Sequence, residues 1–242
     1  MDRYEPRHYR LWIKEKDLVS FNVMLRETDM LIRAERNLKR KALQVVIKQR
    51  GLLEGYIQRH PGFLDSLEPL DAGDDAPKIV REMIEVSRKV GVGPMAAVAG
   101  AMAEYVGREL LDFSEEVIVE NGGDIFLRNT RRRMVGIYIG NPPFTDKVAL
   151  EIRPAESPLG ICTSSATVGH SLSLGQTDAA IVLSPSTALA DAAATAIGNL
   201  VKEDSDMSLG IDFAKGIEDI KGVAIIRGNR MALWGKIKIV RR

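Results

Sequence analysis

The sequence predicts an α+β fold in which antiparallel sheets pack against helices. Strand-like segments come in groups joined by short turns, and helical segments lie between these groups instead of alternating singly with strands. The chain has 242 residues, of which 45% are hydrophobic, which is enough for a substantial core. Because no fixed-period repeat and no long linker interrupt it, we expect a single domain spanning residues 1–242.

The first third of the chain begins with alternating apolar and polar residues over 10–35, a pattern typical of strands joined by tight turns. Apolar residues then recur at three and four positions, which predicts a helix. Asn37 precedes this helix as a cap, and Pro61 follows it. The predicted elements are strand pairs with turns at 15–17 and 27–29, a helix over 37–57, a loop over 61–76, and a helix from Pro77 to Gly91.

The rest of the chain predicts a β-meander, a long helix and a closing hairpin. The predicted strands are 115–120, 125–127, 134–139, 147–152, two or three within 161–186, 223–226 and 233–240. The predicted helices are 187–202 and 212–220, with a loop at 203–210 and a turn at Gly228 and Asn229.

Composition excludes several classes of protein. A net charge of +1 and a pI near 7.8 give no electrostatic basis for binding nucleic acid or an anionic membrane. The N-terminus has no apolar segment of the kind found in signal peptides, and no apolar run is long enough to span a bilayer, so a cytoplasmic protein is expected. A lone cysteine, Cys162, excludes an internal disulfide and is expected to be a buried small hydrophobe.

Residues 91–110 combine four glycines, two of them just before Pro94, with many alanines. Pro94 fits the first position of a helix, and the low side-chain bulk lets another backbone or a flat ligand approach closely. A tightly packed central helix is the favoured interpretation, with direct ligand contact as the alternative. The glycines before Pro94 open a helix N-terminus, a place where an anion can bind.

Asp191 and Thr195 are candidate metal ligands. They are four residues apart in a predicted helix and therefore share one face. A carboxylate and a hydroxyl are hard oxygen ligands of the kind that Mg²⁺ accepts, with a substrate's phosphates and water completing the coordination. On spacing alone, the favoured interpretation of Asp191 is a helix cap or a favourable charge on the helix dipole, with the metal ligand as the alternative.

Several other polar residues are candidates on residue type. His170 lies among glycine and serines, so it is a candidate general base or phosphate contact, or else a structural histidine. Thr163 and Ser164 offer hydroxyls, but no Gly-x-Ser-x-Gly segment supports a serine hydrolase. The turn Asn121-Gly122-Gly123-Asp124 is open to being a simple hairpin turn or a place where a ligand approaches the backbone.

The order of these segments resembles the ApbE family of Mg²⁺-dependent flavin transferases. The matching segments are NGGDI from Asn121, TSS from Thr163, His170, and ADAAATA from Ala190. Over nearly its whole length the chain is closer to a branch of ApbE-related proteins in which VGPMAAVAGA, VENGGDI, TSSATVGHSLS and ADAAATA recur.

The resemblance implies an ApbE-like, T-fold-related domain and a set of roles. It implies that Asp191 and Thr195 hold Mg²⁺, and that His170 acts beside the diphosphate of a flavin. It further implies that FAD contacts the turn residues Asn121, Gly122, Gly123 and Asp124 and the hydroxyl residues Thr163 and Ser164. The family moves FMN from FAD onto a protein threonine, or cleaves FAD to FMN and AMP.

The sequence departs from the flavin transferases in two places. Their Asp-x-Gly-Gly-Ile-Ala-Lys-Gly segment is GVGPMAAVAGA here, without lysine or aspartate, and the acid that follows their histidine is missing after His170. The alternative is therefore a non-catalytic protein of the same fold that binds a small metabolite or a partner. In either case the expected partner is a small-molecule nucleotide or flavin, not nucleic acid or membrane, and assembly as a homo-oligomer stays open.

Overall fold

A computed structural model describes residues 17–136, 148–165 and 175–241 and confirms the α+β class. The strands are β1 Val19–Leu25, β2 Thr28–Ala34, β3 Val117–Asn121, β4 Asp124–Arg128, β5 Arg133–Gly136, β6 Val148–Ile152, β7 Leu159–Ser164, β8 Ala179–Ser184, β9 Gly222–Arg227, β10 Arg230–Gly235 and β11 Ile239–Arg241. The helices are α1 Lys39–Arg59, α2 Gly62–Asp65, α3 Lys78–Val90, α4 Val98–Leu110, α5 Thr187–Leu200 and α6 Met207–Lys215.

Eight strands form one antiparallel sheet in the order β1-β2-β3-β4-β7-β8-β9-β10. The pairs β1–β2, β3–β4 and β9–β10 are joined by tight turns, as the alternating patterns predict. In the turn between β3 and β4, Asn121 and Asp124 form the last cross-strand pair, and Gly122 and Gly123 make the connection. Both glycines have positive φ, +70° and +106°, which explains why this turn requires glycine.

The two faces of this sheet bury different layers. One face packs on the helices and contains the larger core, to which Val119, Phe126 and Val182 contribute. The opposite face contributes Ile118, Leu127 and Ile161 to a second core. That second core also contains residues of a three-stranded antiparallel sheet in the order β11-β6-β5.

The first helix and the central helix follow the predicted pattern. Helix α1 continues through Gly51 and Gly55. Its cap position is Leu38, one residue later than predicted, and the Asn37 side chain accepts a hydrogen bond from the Lys39 amide at 3.0 Å. Pro94 begins a 3₁₀ turn over Pro94–Ala97 that leads directly into α4.

Two predictions near the C-terminus are wrong. The predicted loop at 203–210 contains the start of α6 at Met207, and Gly210 lies inside this helix, where the lack of a side chain lets it pack against Ile225 of β9. The predicted strand 233–240 is divided at Gly235, which has φ +81°. Its first part is β10, beside β9, whereas its second part is β11, beside β6 in the other sheet.

Within the described ranges, no single helix is both long and apolar enough to cross a membrane. The consecutive helical segments Lys78–Val90 and Pro94–Leu110 meet those criteria only as a pair, bent by 105°.

Candidate functional site

Helix α5 is buried on nearly every side, and the few residues that are partly exposed follow a regular spacing. From Thr187 to Gly198, every residue except Asp191 and Thr195 is buried. Asn199, four residues beyond Thr195, is partly exposed as well. One stripe of this helix therefore keeps access to solvent, and it carries the two predicted metal ligands.

Asp191 binds the beginning of another helix. Its Oδ2 accepts a hydrogen bond from the Gly100 backbone amide at 2.8 Å, and the Ala99 amide also favours its ionised form. These amides belong to the first turn of α4, whose N–H groups have no partner within the helix. A carboxylate of the protein itself thus binds these amides, which lie beyond the predicted anion site at the glycines before Pro94. The cap of α5 is a different residue, Ser186, whose hydroxyl accepts from the Leu189 amide at 3.2 Å.

A reciprocal contact comes from α4 and was missed in the sequence. Glu104 is 1% exposed, and its Oε2 accepts from the backbone amides of Thr187 at 2.7 Å and Ala188 at 3.3 Å. Its Oε1 accepts two bonds from the Arg108 guanidinium, at 2.6 and 2.9 Å. The signal that could have found it is an acidic residue inside an otherwise small and apolar helix, MAAVAGAMAEYVG.

The two helices touch through their backbones at Gly100. A Cβ atom at this position would lie 2.4 Å from the Thr187 carbonyl oxygen and 2.7 Å from the Asp191 Cβ. This confirms the tightly packed interpretation of the small-residue segment. It also explains how a carboxylate on each helix reaches the amides of the other.

Strand alternation determines which side chains of the sheet face α4 and α5. Asn121 and Asp124 form a cross-strand pair, and Asp124 alternates with Phe126, whose ring packs against Gly107 of α4. Ser164 pairs with Ala180, which lies in the helix-side core. Thr163 pairs with Ile181, which lies in the second core. The Thr163 side chain therefore belongs to the opposite face, and only its backbone amide is directed to Asp124.

Asn121 and Asp124 approach the helices in different ways. The Asn121 side-chain amide donates to the Ala99 carbonyl oxygen at 3.0 Å, which ties the turn to the segment that also binds Asp191. Asp124 is 7% exposed, and its Oδ1 is buried without a hydrogen-bond partner. A buried carboxylate oxygen without a partner is unfavourable unless a donor or a cation occupies the space beside it.

The electrostatics of Asp124 and Asp191 reflect this arrangement. Burial raises the pKa of Asp124 to about 7, opposed by hydrogen bonding to the Cys162 thiol and the Thr163 amide and reinforced by the charge of Glu120. Burial and the nearby charge of Asp124 raise the pKa of Asp191 well above its usual range, although the Gly100 and Ala99 amides act against this shift. Two carboxyl groups that disfavour each other's ionisation form a place where a divalent cation is stabilising.

Cys162 and Ser164 lie on the same helix-facing side of β7. Cys162 is fully buried, as predicted, and its thiol lies 3.4 Å from the Thr187 carbonyl oxygen. Burial and the charges of Asp124 and Asp191 raise the pKa of this thiol, which makes a thiolate nucleophile unfavourable. The Ser164 hydroxyl comes within 3.2 Å of where a Cβ on Gly198 would lie, and Gly198 follows Thr195 by three residues on α5.

The structure thus brings Asn121, Asp124, Ser164, Asp191 and the Thr163 backbone toward the α4–α5 contact, with Thr195 on the next turn of α5. Gly122 and Gly123 form the turn at its edge. His170 lies outside the described residues. In the parts of the chain that are described, no group of three or more histidine, cysteine, aspartate or glutamate residues could hold a metal ion. A cation here would have to share two carboxylates and a hydroxyl with oxygens from a ligand or water, which suits Mg²⁺ better than zinc.

A groove of about 370 Å³ opens elsewhere, at the start of α1. It is lined by Asn37, Leu38, Arg40, Lys41 and Gln44. These residues include neither a carboxylate nor a histidine. The carboxylates of the candidate site lie instead on α5 and at the β3–β4 turn.

Comparison with protein families and sequences gives consistent results. A family model described as "AbpE bacteria" matches residues 10–219. A UPF0280 protein from Methanocella arvoryzae is 42% identical over 219 residues, covering 90% of this chain and 89% of that protein. A UPF0280 protein from Methanocaldococcus jannaschii is 38% identical over 233 residues, covering 94% and 92%.

Solved structures share the fold. The flavinyl transferase ApbE from Pseudomonas stutzeri, in its apo form, matches with a TM-score of 0.59 and 14% identity, covering 90% of this chain and 94% of that one. The flavin transferase ApbE from Vibrio cholerae matches with a TM-score of 0.51 and 13% identity, covering 93% and 96%. At these identities the similarity establishes the architecture.

Proposed function

Because the chain belongs to the ApbE-like family, whose model covers residues 10–219, we propose that it is a metal-assisted enzyme acting on a flavin nucleotide or a related diphosphate. We take its 242 residues to act as one domain. The observation that carries the proposal is the pair of carboxyl groups, Asp124 and Asp191, with a buried oxygen of Asp124 left without a partner.

The residues present fit a divalent cation. Asp191 and Thr195 would hold Mg²⁺ from the accessible stripe of α5. Asp124 would contribute the second negative charge of the site. Bound there, the metal neutralises charge on a diphosphate and favours cleavage of the phosphorus–oxygen bond. Two carboxylates and one hydroxyl leave coordination positions for phosphate oxygens and water.

The protein's own groups have distinct tasks in this proposal. The α4 amides of Ala99 and Gly100 hold the Asp191 carboxylate in one orientation. Asn121 fixes the β3–β4 turn against Ala99, and Gly122 and Gly123 allow a ligand to approach the backbone there. The hydroxyl of Ser164 and the side chain of His170 are proposed to contact the diphosphate. FAD is the proposed substrate: the bond between the FMN phosphorus and the bridging oxygen breaks, AMP leaves with that oxygen, and the phosphorus bonds to the oxygen of a threonine or of water, which gives up a proton.

The test is product formation from FAD in the presence of Mg²⁺. Chromatography should detect FMN and AMP, and intact-mass spectrometry of added acceptor peptides should detect FMN on threonine. Asp191→Asn is expected to abolish the products. The matched control Asp212→Asn, on the exposed side of α6, is expected to retain them. No product from the unchanged chain, with no change of its melting temperature on adding FAD and Mg²⁺, would contradict the proposal.

A second candidate is a non-catalytic protein that binds a metabolite in the same place. The observation favouring it concerns Gly93 and Gly100. The space that a side chain at these positions would take is filled by backbone, namely the carbonyl oxygens of Ser66 and Thr187. The segment that differs from the flavin transferases is thus used for packing. Metal-dependent FAD binding without any product would support this second candidate.

A further inference from the structure

The contact between α4 and α5 is a reciprocal exchange of hydrogen bonds, in which each helix provides a carboxylate to backbone amides in the first turn of the other. Glu104 of α4 accepts hydrogen bonds from backbone amides in the first turn of α5. Asp191 of α5 accepts one from a backbone amide in the first turn of α4. On each helix the amide and the carboxylate are one turn apart, Gly100 with Glu104 and Thr187 with Asp191. The hydrogen bonds accepted by Glu104 and by Asp191 lie at the two ends of one short helix–helix contact. Together they hold the two helices at one relative position.

We propose that Glu104 is a positioning residue that sets where Asp191 and Thr195 lie relative to Asp124, and thereby the metal affinity of the site. The proposal rests on the proposed function, because it assumes that these residues hold a cation. Glu104 does not face the accessible stripe itself. It acts through the Thr187 and Ala188 amides, four and three residues before Asp191.

The chemistry of Glu104 makes this role specific. Its carboxylate uses one oxygen for the amides of α5 and the other for the Arg108 guanidinium, so both oxygens must accept. A glutamine has one oxygen and one NH₂ group. In a Glu104→Gln variant, either Arg108 or the start of α5 would face a donor where it needs an acceptor. The negative charge at the N-terminus of α5 would also be lost.

The test measures Mn²⁺ affinity of the full chain by electron paramagnetic resonance at a temperature where circular dichroism shows every variant to be folded. Glu104→Gln is expected to weaken Mn²⁺ binding by roughly tenfold, the lower end of the range for residues that orient metal ligands. Its matched control is Glu116→Gln. Glu116 is a carboxylate of similar burial that also pairs with an arginine, Arg133, but it is not one of the residues that meet at the α4–α5 contact. It should lower the melting temperature without changing the affinity.

The outcomes separate this proposal from the proposed function. If the unchanged chain does not bind Mn²⁺, or if Asp191→Asn binds it normally, the proposed metal site is wrong. If the metal site is real but Glu104→Gln binds Mn²⁺ normally, or loses no more affinity than Glu116→Gln, the positioning role is overturned. Should Glu104→Gln not fold, Arg108→Gln decides the question, since the Arg108 side chain is 59% exposed and only orients Glu104. Reduced affinity in that variant supports the role, and unchanged affinity overturns it.

Discussion

Asp124 and Asp191 are the residues at which folding and the proposed chemistry have opposite requirements. Burial and the charge of Glu120 favour the protonated form of Asp124, and burial and the charge of Asp124 favour the protonated form of Asp191. A carboxyl group must be ionised to bind a metal. The ionised state of the two carboxyl groups, which binds a cation best, is therefore the least stable state of the site when no cation is bound.

This conflict predicts a pH dependence of stability. The pKa of Asp124 rises from 3.8 to about 7 on folding, so the folded state retains a proton that the unfolded chain has released. The resulting stabilisation is fully present below the unfolded value and is lost as the pH rises through about 7. Thermal melts in chelator should give a falling melting temperature from about pH 5 to above pH 7, and saturating Mg²⁺ should weaken or reverse this trend.

The variant Asp124→Asn is the control for this titration, because it removes the ionisable group while keeping its shape. Its melting temperature in chelator should vary less with pH than that of the unchanged chain, and Mg²⁺ should stabilise it less. A pH profile identical to that of the unchanged chain would show that Asp124 is not the group responsible.

At the scale of elements, the close approach of α4 and α5 depends on a missing side chain. Gly100→Ala places a methyl group 2.4 Å from the Thr187 carbonyl oxygen, and neither backbone can yield without moving a helix. We expect a loss of about 1–3 kcal/mol in the free energy of unfolding, the usual range for overpacking. Chemical denaturation measures it directly.

Gly51→Ala is the matched control for that substitution. Gly51 also lies inside a helix, α1, but a Cβ there would meet nothing within 4 Å. Alanine should therefore stabilise the chain by about 0.5–1 kcal/mol, because it restricts the unfolded backbone. If Gly100→Ala behaved like Gly51→Ala, the helices would not be in the close contact described.

Local elements were predictable where the sequence pattern and the tertiary contacts agree. The strand pair β1–β2, helix α1 and the β3–β4 turn all follow from periodicity, caps and glycines. The errors lie where tertiary packing decides. Residues 207–210 belong to α6 and not to the predicted loop, and within this helix Gly210 allows close packing on Ile225. The separation of β11 from β10 depends on pairing with β6, some ninety residues earlier in the chain.

The candidate site shows the same division. The i, i+4 spacing of Asp191 and Thr195 places them on one helix face from sequence alone. The bonds that orient Asp191 join residues 91 positions apart, and those of Glu104 join residues 83 and 84 apart, so neither was predictable from spacing. Thr163 and Ser164 looked equivalent in sequence, but strand register directs their side chains to opposite faces of the sheet.

At the scale of the whole molecule, a buried ion pair links the two sheets. Arg133 of β5, in the three-stranded sheet, pairs with Glu116, which immediately precedes β3 of the eight-stranded sheet, and both side chains are less than 5% exposed. Arg133→Met leaves the Glu116 carboxylate buried without its guanidinium partner. We expect a loss of about 3–5 kcal/mol in the free energy of unfolding.

The double variant Arg133→Met, Glu116→Leu tests the reason for that loss. Removing both charges should recover much of the stability, because the penalty arises from one unpaired buried charge. Equal destabilisation in the single and double variants would instead mean that the pair itself is strongly stabilising. Both measurements are denaturant titrations at the same pH.

The central claim is that Asp191 and Thr195, with the charge of Asp124, hold a divalent cation for a diphosphate substrate. The most direct measurement is anomalous diffraction from crystals grown with Mn²⁺ and FAD. The account predicts one strong manganese peak within coordination distance of oxygen atoms of Asp191 and Thr195, beside Asp124 and the flavin diphosphate. Ordered FAD without that peak, or manganese bound only at exposed acidic residues such as Glu218 and Asp219, would contradict it.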